Sequence, residues 1–309
     1  MAFGHDTTTD EILEGVDLSG KTAFVTGASG GLGAETARAL ASKGAAVTLG
    51  VRNVAKGEEV AETIRAATGS EVDVVELELA SLESVRACAK GWLAGHGPLN
   101  LLINNAGIMA CPLARTSNGW EIQFATNHLG HFLLTMSLLP ALRDGAPSRI
   151  VNLSSGAHRF AGVDFDDIHF NEREYNKFAA YGQSKTSNVL FAVELGRRLE
   201  GTGVTINAVH PGVIMTDLGR HLTPEDLANF PGATSVEEMK FKTVESGAAT
   251  SVWAATSPEL EGRSGLYLED CHVASAATED GVQVGYSSWA MDPEAASRLF
   301  TLSEELVGL

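Results

Sequence analysis

The chain has 309 residues, 44% of them hydrophobic and 20% charged, which is the composition of a soluble globular protein with a large core. A net charge of −17 excludes nucleic acid and anionic membrane surfaces as expected partners, because both carry phosphate groups that the chain would repel. Three scattered cysteines, Cys88, Cys111 and Cys271, form no CxxC pair and predict free thiols in a reducing compartment.

Residues 1–17 are polar and acidic, and we expect them to form an N-terminal extension. They have neither the basic start nor the apolar run of a signal peptide, and no stretch approaches the length of a membrane span. A cytoplasmic location without membrane contact is therefore the default expectation. Residues 18–309 contain no linker, repeat or low-complexity stretch, which predicts one domain.

From Lys21 onward, short apolar runs alternate with longer amphipathic segments. The apolar runs predict strands at 22–27, 45–51, 72–79, 99–105, 148–155, 204–212 and 264–268. The amphipathic segments predict helices at 33–44, 55–69, 81–95, about 118–140, about 180–200, about 244–256 and from Pro293 onward. Such alternation predicts an α/β fold, with a doubly wound parallel sheet of about seven strands and helices on both faces.

Two segments interrupt this alternation, at about 156–178 and 216–242. Each follows the carboxyl end of a predicted strand, which is where open α/β sheets bind their ligands. Long irregular loops in compact domains are usually functional. We expect both loops to lie on the substrate side.

The first strand runs directly into a glycine-rich turn, TGASGGLG, which spans residues 26–33. Glycines let a backbone approach a pyrophosphate closely, and the following helix directs its positive end at the phosphates. The spacing is G-x-x-x-G-x-G rather than the commoner G-x-G-x-x-G. An ordinary strand–helix turn is the alternative, but the position at the first such turn of a parallel sheet favours a nucleotide cofactor.

A second motif, YGQSK, places Tyr181 four residues before Lys185. Residues at this spacing are neighbours on one helix face, so the two side chains can act on one small volume. A free tyrosine, with a pKa of about 10, is a poor base at neutral pH, and a neighbouring ammonium lowers that pKa. The pair alone is a weak signal, because tyrosine and lysine are common on helix surfaces.

Taken together, TGASGGLG, NNAG (104–107), YGQSK and HPG (210–212) resemble the short-chain dehydrogenase/reductase superfamily in order and approximate distance. The segments VRNVAKGEE, LASLESVR, NHLGHFLLT and LSEELVGL are similar to its retinol-dehydrogenase-like branch. The resemblance covers residues 18–309 and implies a single-domain Rossmann-type fold. It further implies an oxidoreductase that interconverts an alcohol and its ketone or aldehyde.

The resemblance also implies a catalytic set of Asn127, Ser155, Tyr181 and Lys185. Tyr181 would carry the proton, Lys185 would tune it and hold the nicotinamide ribose, and Ser155 would position the reacting oxygen. Asn127 would hold the inner end of a proton-relay water chain. Ser154 is the neighbouring alternative to Ser155, and only one of the two can face the substrate because successive strand residues point in opposite directions.

The cofactor-binding residues implied by the resemblance lie on six segments of the chain. They are Gly27, Ser29, Gly30, Gly31, Leu32, Gly33, Arg52, Glu78, Leu79, Asn105, Ala106, Gly107, Tyr181, Lys185, Pro211, Gly212, Val213 and Thr216. Glu78 stands where the family usually has an aspartate against adenine, which leaves that contact open. Thr216 resembles the residue that contacts the carboxamide, and a plain helix cap is its alternative.

The end of the second strand predicts the choice of cofactor. Relatives that use NAD carry a carboxylate there, whereas this chain has Val51, followed by Arg52 and then Lys56. A guanidinium offers a fork of donors suited to a phosphate, so we expect NADP(H) rather than NAD(H). One feature dissents, because many NADP-using relatives have a basic residue where this chain has Gly30.

The remaining expectations concern partners and rival functions. His128, His131, His158 and His210 show no metal-ligand spacing, so we expect surface or supporting roles and no metal. Loops rich in apolar residues favour a bulky apolar alcohol or carbonyl substrate. The helices near 118–140 and 180–200 resemble those that pair in family oligomers, which predicts a homodimer or homotetramer. A double-bond reductase on the same fold and a non-catalytic NADP(H)-binding regulator are the alternatives.

Overall fold

The computed structural model describes residues 3–228, 240–277 and 284–309. Its strands are β1 (Thr22–Thr26), β2 (Ala46–Val51), β3 (Val72–Glu76), β4 (Leu101–Asn104), β5 (Ser148–Leu153), β6 (Val204–His210), β7 (Val213–Ile214), β8 (Phe241–Lys242), β9 (Tyr267–Glu269) and β10 (His272–Val273). Its α-helices are α1 (Thr9–Ile12), α2 (Gly31–Ala41), α3 (Val54–Thr68), α4 (Leu82–Gly95), α5 (Ile122–Phe124), α6 (Gly130–Asp144), α7 (Lys177–Arg198), α8 (Pro224–Ala228), α9 (Val244–Thr256) and α10 (Pro293–Val307).

Within these residues, eight strands form one sheet in the order β10-β9-β6-β5-β4-β1-β2-β3, and only β10 is antiparallel. The predicted doubly wound sheet is confirmed, with one strand more than the seven expected. The strand order reverses between β1 and β4, which is the crevice where such sheets bind ligands. A separate two-stranded sheet joins β7 to β8.

Helices cover both faces of the sheet, and the side chains of β1 show how the strands separate two cores. Phe24 points into a core built with α4, α6, α7 and α10. Ala23 and Val25 point the opposite way, into a core built with α1, α2 and α9. This alternation follows from the two-residue period of a strand. Leu13 in the N-terminal extension is fully buried in the second core.

The predicted helix at 118–140 differs most from the structure. It begins at Ile122, extends to Asp144, and contains a π-helical turn at Ala125–Leu129 between α5 and α6. The Glu121 side chain caps its start by accepting from the amides of Gln123 (3.0 Å) and Phe124 (2.7 Å). π-helical turns occur frequently at functional sites, and Asn127 lies at the centre of this one.

The C-terminal helix α10 packs over α7. Its Phe300 ring lies 5.0 Å from that of Phe132 and is covered by the Arg198 guanidinium, whose carbon is 3.8 Å from the ring centroid. Ser303, also on α10, hydrogen-bonds His128 at 2.8 Å. The four-helix contact predicted for an oligomer would use the surface of α7. In this structure α10 of the same chain covers that surface. A contact of that form would have to displace α10.

Candidate active site

The turn between β1 and α2 leaves no room for side chains at two of its glycines. Gly27 has a φ of +69°, and a Cβ there would lie 2.8 Å from the Cα of Ala106. A Cβ on Gly33 would lie 2.6 Å from the carbonyl oxygen of Gly27. Because α2 follows Gly30, which has no side chain to cap it, the first backbone amides of the helix face outward. The turn has the form of an anion cradle.

The turn after β4 is locked onto the end of β1. The hydroxyl of Thr26 accepts hydrogen bonds from the amides of Asn105 and Ala106, both at 2.9 Å. The Asn105 side chain donates to the carbonyl oxygen of Thr26 at 2.7 Å. A Cβ on Gly107 would lie 3.3 Å from Asn127 Oδ1. The predicted cofactor residues Asn105, Ala106 and Gly107 therefore lie between the glycine turn and the π-helical turn.

Charged side chains converge beside the glycine turn at the end of β2. Arg52 Nη1 lies 3.8 Å from Glu78 Oε2, and the Arg52 side chain is 73% exposed. Lys56 Nζ would lie 3.8 Å from a Cβ on Gly30. Glu78 also accepts from the amide of Ala80 at 3.1 Å, so its carboxylate folds back onto its own turn. Lys56 thus places a cation where the sequence itself has only a glycine.

The predicted catalytic residues meet at the carboxyl end of β5. The Ser155 hydroxyl lies near enough to the Tyr181 hydroxyl to lower its pKa, whereas the Ser154 hydroxyl turns away and donates to the Lys185 carbonyl oxygen at 2.8 Å. Lys185 Nζ donates to the carbonyl oxygen of Leu153 at 3.1 Å and lies 5.7 Å from the Tyr181 ring centroid. The structure thus places Ser155, rather than Ser154, beside the phenol.

Burial dominates the electrostatics of this pair. It raises the pKa of Tyr181 to about 12, against a smaller lowering by the Ser155 hydrogen bond. It lowers the pKa of Lys185 to about 8. The direction for Tyr181 is opposite to the one predicted from the ammonium, because the loss of solvation is the largest contribution. The protonated phenol is therefore the form that prevails at neutral pH.

Asn127 is held by three hydrogen bonds to its side chain. Its Oδ1 accepts from the amide of Ile108 at 2.9 Å, and its Nδ2 donates to the Ile108 carbonyl oxygen at 2.9 Å. Nδ2 also donates to Ser184 Oγ at 2.9 Å, and Ser184 in turn donates to the Tyr181 carbonyl oxygen at 2.7 Å. The Asn127 side chain therefore ties the π-helical turn to the turn after β4 and to α7.

The loop after β6 closes the other side of the glycine turn. Thr216 Cγ2 would lie 3.6 Å from a Cβ on Gly31, and its hydroxyl accepts from the amide of Leu218 at 3.4 Å, as a helix cap does. A Cβ on Gly212 would lie 2.7 Å from Cε of Lys242. Lys242 is buried and pairs with Asp270 at 2.5 Å.

The structure brings most of the predicted set together at the carboxyl edge of the sheet, apart from three residues at its margin. Leu79 is buried beneath α6, Pro211 is half-buried, and Val213 is 41% exposed on β7. Sequence reasoning missed Thr26, Lys242 and Asp270, and it gave His131 only a surface or supporting role. Thr26 stands inside the glycine motif and His131 one helical turn after Asn127, so both had a local signal, whereas Lys242 and Asp270 are distant in sequence.

Three of the four histidines expected at the surface or in supporting roles are not at the surface. His128, His131 and His158 are each at most 1% exposed, and burial lowers the pKa of His128 to about 3 and those of His131 and His158 to about 4. In the described part of the chain, no three His, Cys, Asp or Glu side chains are grouped to hold a metal ion. Across those same residues, no helix has both the length and the apolar character to cross a membrane.

Comparison of the whole chain with known proteins shows the family to which it belongs. The profile of the short chain dehydrogenase family matches residues 21–227. Human retinol dehydrogenase 14 is 44% identical over 306 residues, which cover 94% of this chain and 88% of the relative. An uncharacterized protein from Mycobacterium Paratuberculosis is 34% identical, with a TM-score of 0.76 over 98% of both chains. The RhlG/NADP active-site complex of Pseudomonas aeruginosa is 25% identical, with a TM-score of 0.65 over 82% of this chain and 95% of that one.

Proposed function

Because the chain belongs to the short-chain dehydrogenase/reductase family and is an oxidoreductase of that family, we propose that it interconverts an alcohol and its ketone or aldehyde with NADP(H). The observation that carries this proposal is the Ser155 hydroxyl beside the phenol of Tyr181, with Lys185 one turn along the same helix. A protein that only bound the cofactor would have no need of this arrangement.

The residues present fit a dinucleotide. Gly27 and Gly33 let the turn pack against Asn105 and Ala106 with no room for a Cβ, and the first amides of α2 are left to meet the phosphates. Asn105, Ala106 and Gly107 would form the floor beneath the ribose and nicotinamide, and Thr216 would lie at the carboxamide end. The bound cofactor supplies or accepts the hydride.

Side chains of this protein would transfer the proton and hold the reacting oxygen. Tyr181 is protonated at neutral pH, so its hydroxyl can give a proton to a carbonyl oxygen as the carbon beside it is reduced. Ser155 donates to the same oxygen and holds it in place. Lys185, held by the Leu153 carbonyl oxygen, stabilises the phenolate that is left until a proton returns. In the oxidation of an alcohol the same proton moves in reverse.

We propose NADP(H) over NAD(H) from the charges beside the glycine turn. Val51 is buried at the end of β2, where a carboxylate would favour an unphosphorylated ribose. Arg52 and Lys56 offer two cations, and their partners Glu78 and Asp217 lie at 3.8 and 3.6 Å in exposed surroundings. Such weak pairs can release both cations to a phosphate. Lys56 offsets the missing basic residue at Gly30.

A bulky apolar substrate fits the surface of the loops that follow β4 and β6. Leu113, Val213 and Met215 are 44%, 41% and 73% exposed, and Phe241 on β8 is 39% exposed. The likeness to retinol dehydrogenase 14 supports an alcohol of that character. The two irregular loops, 156–178 and 216–242, would enclose it. Residues 229–239 of the second loop lie outside the described residues.

The proposal is tested by following NADPH consumption against a panel of ketones, aldehydes and α,β-unsaturated carbonyl compounds, with product analysis. We expect alcohols as products and a preference for bulky apolar compounds. Saturation of the carbon–carbon double bond would instead identify a double-bond reductase. NADPH binding with no turnover across the panel would favour a regulator.

Three further expectations belong to this proposal. The free thiols Cys88, Cys111 and Cys271 support a reducing compartment such as the cytoplasm. Residues 18–309 would form the catalytic domain and residues 1–17 an extension packed on it. The homodimer or homotetramer remains a prediction, and with α7 covered by α10 it would have to use another surface. Sedimentation at micromolar concentration checks it, and a monomer would exclude it.

A further inference from the structure

His131 lies in the first turn of α6, one helical turn after Asn127, and both of its ring nitrogens face parts of the candidate site. Nδ1 lies 3.0 Å from the backbone carbonyl oxygen of Asn127, and Nε2 lies 2.8 Å from the hydroxyl oxygen of Thr26. The side chain is 1% exposed. A buried imidazole with both nitrogens engaged has a fixed ring orientation.

The partners determine which nitrogen carries the proton. The Asn127 carbonyl oxygen can only accept, so Nδ1 must be the donor. Burial keeps the ring neutral, helped by the charge of Lys185. Nε2 is then an acceptor, and Thr26 must donate its hydroxyl hydrogen to it.

Thr26 continues this series of hydrogen bonds to the turn after β4, with the same direction of donation. Its oxygen accepts from the amides of Asn105 and Ala106, and its hydrogen goes to His131 Nε2 at 2.8 Å rather than to the Ile103 carbonyl oxygen, which lies farther away at 3.4 Å. The hydrogen bonds therefore run in one direction, from the turn amides through Thr26 and His131 to the Asn127 carbonyl oxygen. Moving the ring proton to Nε2 would reverse the bond to Thr26 and leave the bare Nδ1 facing the Asn127 carbonyl oxygen, two buried acceptors with no proton between them.

We propose that His131 is a positioning residue, which fixes the Asn127 carbonyl through Nδ1 and the Asn105–Ala106 turn through Nε2 and Thr26. The inference rests on the proposed function for the roles of the two ends. One end belongs to the cofactor floor and the other to the π-helical turn beside Tyr181. His131 thereby fixes the position of the bound cofactor relative to the proton donor without contacting either.

His128 provides the contrast, because it is equally buried and lies three residues before His131, in the π-helical turn. Its Nε2 pairs with Ser303 on α10, at 2.8 Å, and its ring packs among Phe124, Phe132 and Phe191. It therefore holds the helix to the core rather than to the site. His128→Asn is a matched control for the loss of one buried imidazole.

Two substitutions separate the two hydrogen bonds of His131. In His131→Asn the amide nitrogen replaces Nδ1, so the bond to Asn127 is kept and the bond to Thr26 is lost. In His131→Gln the amide oxygen replaces Nε2, so the bond to Thr26 is kept and the bond to Asn127 is lost. Losing one buried hydrogen bond should change the affected constant roughly tenfold.

The readouts are the Kd for NADPH by calorimetry and kcat with the best carbonyl substrate. We expect His131→Asn to raise Kd roughly tenfold and to leave kcat within about threefold. We expect His131→Gln to lower kcat roughly tenfold and to leave Kd within about threefold. His128→Asn should lower stability and change neither constant. Equal changes in both constants for the two His131 variants, or changes matching those of His128→Asn, would overturn the proposal.

A spectroscopic measurement on the wild-type protein needs no variant to fold. The nitrogen chemical shifts of the His131 ring should show Nδ1 protonated and Nε2 bare at neutral pH, and the opposite tautomer would refute the inferred direction. If the protein binds NADPH but turns over no carbonyl compound, the proposed function fails by itself. The Kd of the two variants and the tautomer then support or overturn the link through Thr26.

Discussion

The two ends of the candidate site are built in opposite ways. At the catalytic end, Tyr181 and Lys185 are 3% and 4% exposed, and their partners are a strand carbonyl and the hydroxyl of Ser155. At the ribose end, the side chains of Arg52 and Lys56 are 73% and 50% exposed, and their nearest carboxylates lie at 3.8 and 3.6 Å. One end is desolvated and fixed, while the other is hydrated and loosely paired.

The difference follows from what each end has to do. A proton donor must stand at hydrogen-bond distance from one atom, and burial shifts its pKa. A phosphate can be met by cations that move onto it, and exposed ion pairs of about 0–1 kcal/mol do not hold those cations back. We therefore expect the buried end to fail after small changes, and the exposed end to respond in a graded, salt-dependent way.

Acid should act first on the buried end. His128, His131 and His158 have pKa values lowered to about 3, 4 and 4, against 6.5 for the ordinary group. Between those values the unfolded chain takes up protons that the folded chain does not, so stability is lost as the pH falls. From pH 7 to pH 5 the free energy of unfolding should drop by about 2 kcal/mol for each histidine.

Urea titrations at a series of pH values check this prediction. His128→Asn removes one of the titrating groups and should lower the slope of unfolding free energy against pH by one group's share. A slope unchanged in that variant, or stability that is flat down to pH 5, would show that these rings titrate normally.

The proton carrier should be the least replaceable group at the buried end. Tyr181→Phe keeps the ring packed and removes the hydroxyl, so turnover should fall by roughly 10² or more with NADPH binding retained. Tyr175→Phe is the matched control, because that hydroxyl bonds Gln123 at 2.9 Å and the carbonyl oxygen of Cys111 at 3.0 Å, away from Tyr181. Near-normal turnover in Tyr181→Phe would reject the assignment.

The two serines at the end of β5 test the same end at single-residue resolution. Ser155→Ala removes the hydroxyl beside Tyr181 and should lower kcat roughly 10-fold to 100-fold. Ser154→Ala removes a hydrogen bond to the Lys185 carbonyl oxygen and should cost about 1 kcal/mol of stability with little loss of kcat. The reverse order of effects would show that Ser154, and not Ser155, faces the substrate.

The sequence predicted the residues of the buried end, but it did not predict most of the contacts that support them. Local spacing indicated the glycine turn and the Tyr181–Lys185 pair, the resemblance to the family implied Ser155, and the structure places Ser155 near Tyr181. The π-helical turn at Asn127 was not predicted, because hydrophobic periodicity does not distinguish one inserted residue in a long helix. The Lys242–Asp270 pair and the packing of α10 over α7 depend on residues far apart in sequence. The pKa of Tyr181 required knowledge of burial.

Removal of a positive charge at the exposed end should raise the KM for NADPH and leave the KM for NADH nearly unchanged. Arg52→Ala should raise the KM for NADPH about tenfold, which is the usual size of a charge-assisted hydrogen bond, and leave the KM for NADH nearly unchanged. Arg65→Ala removes the same charge from α3, where Arg65 pairs with Glu58 at 3.3 Å, and should change neither constant. A wild-type protein that uses NADH as efficiently as NADPH would contradict the proposed preference.

Added salt should separate the two ends with no substitution. Raising the ionic strength from about 0.05 M to about 0.5 M shortens the Debye length from roughly 14 Å to roughly 4 Å, which screens exposed charges far more than buried ones. The KM for NADPH should therefore rise about threefold, through Arg52 and Lys56, whereas kcat should stay constant. In Arg52→Ala the dependence on salt should shrink, because only Lys56 remains to be screened. If kcat fell in parallel with the rise in KM, the catalytic end would also depend on hydrated charge, and the contrast between the two ends would not hold.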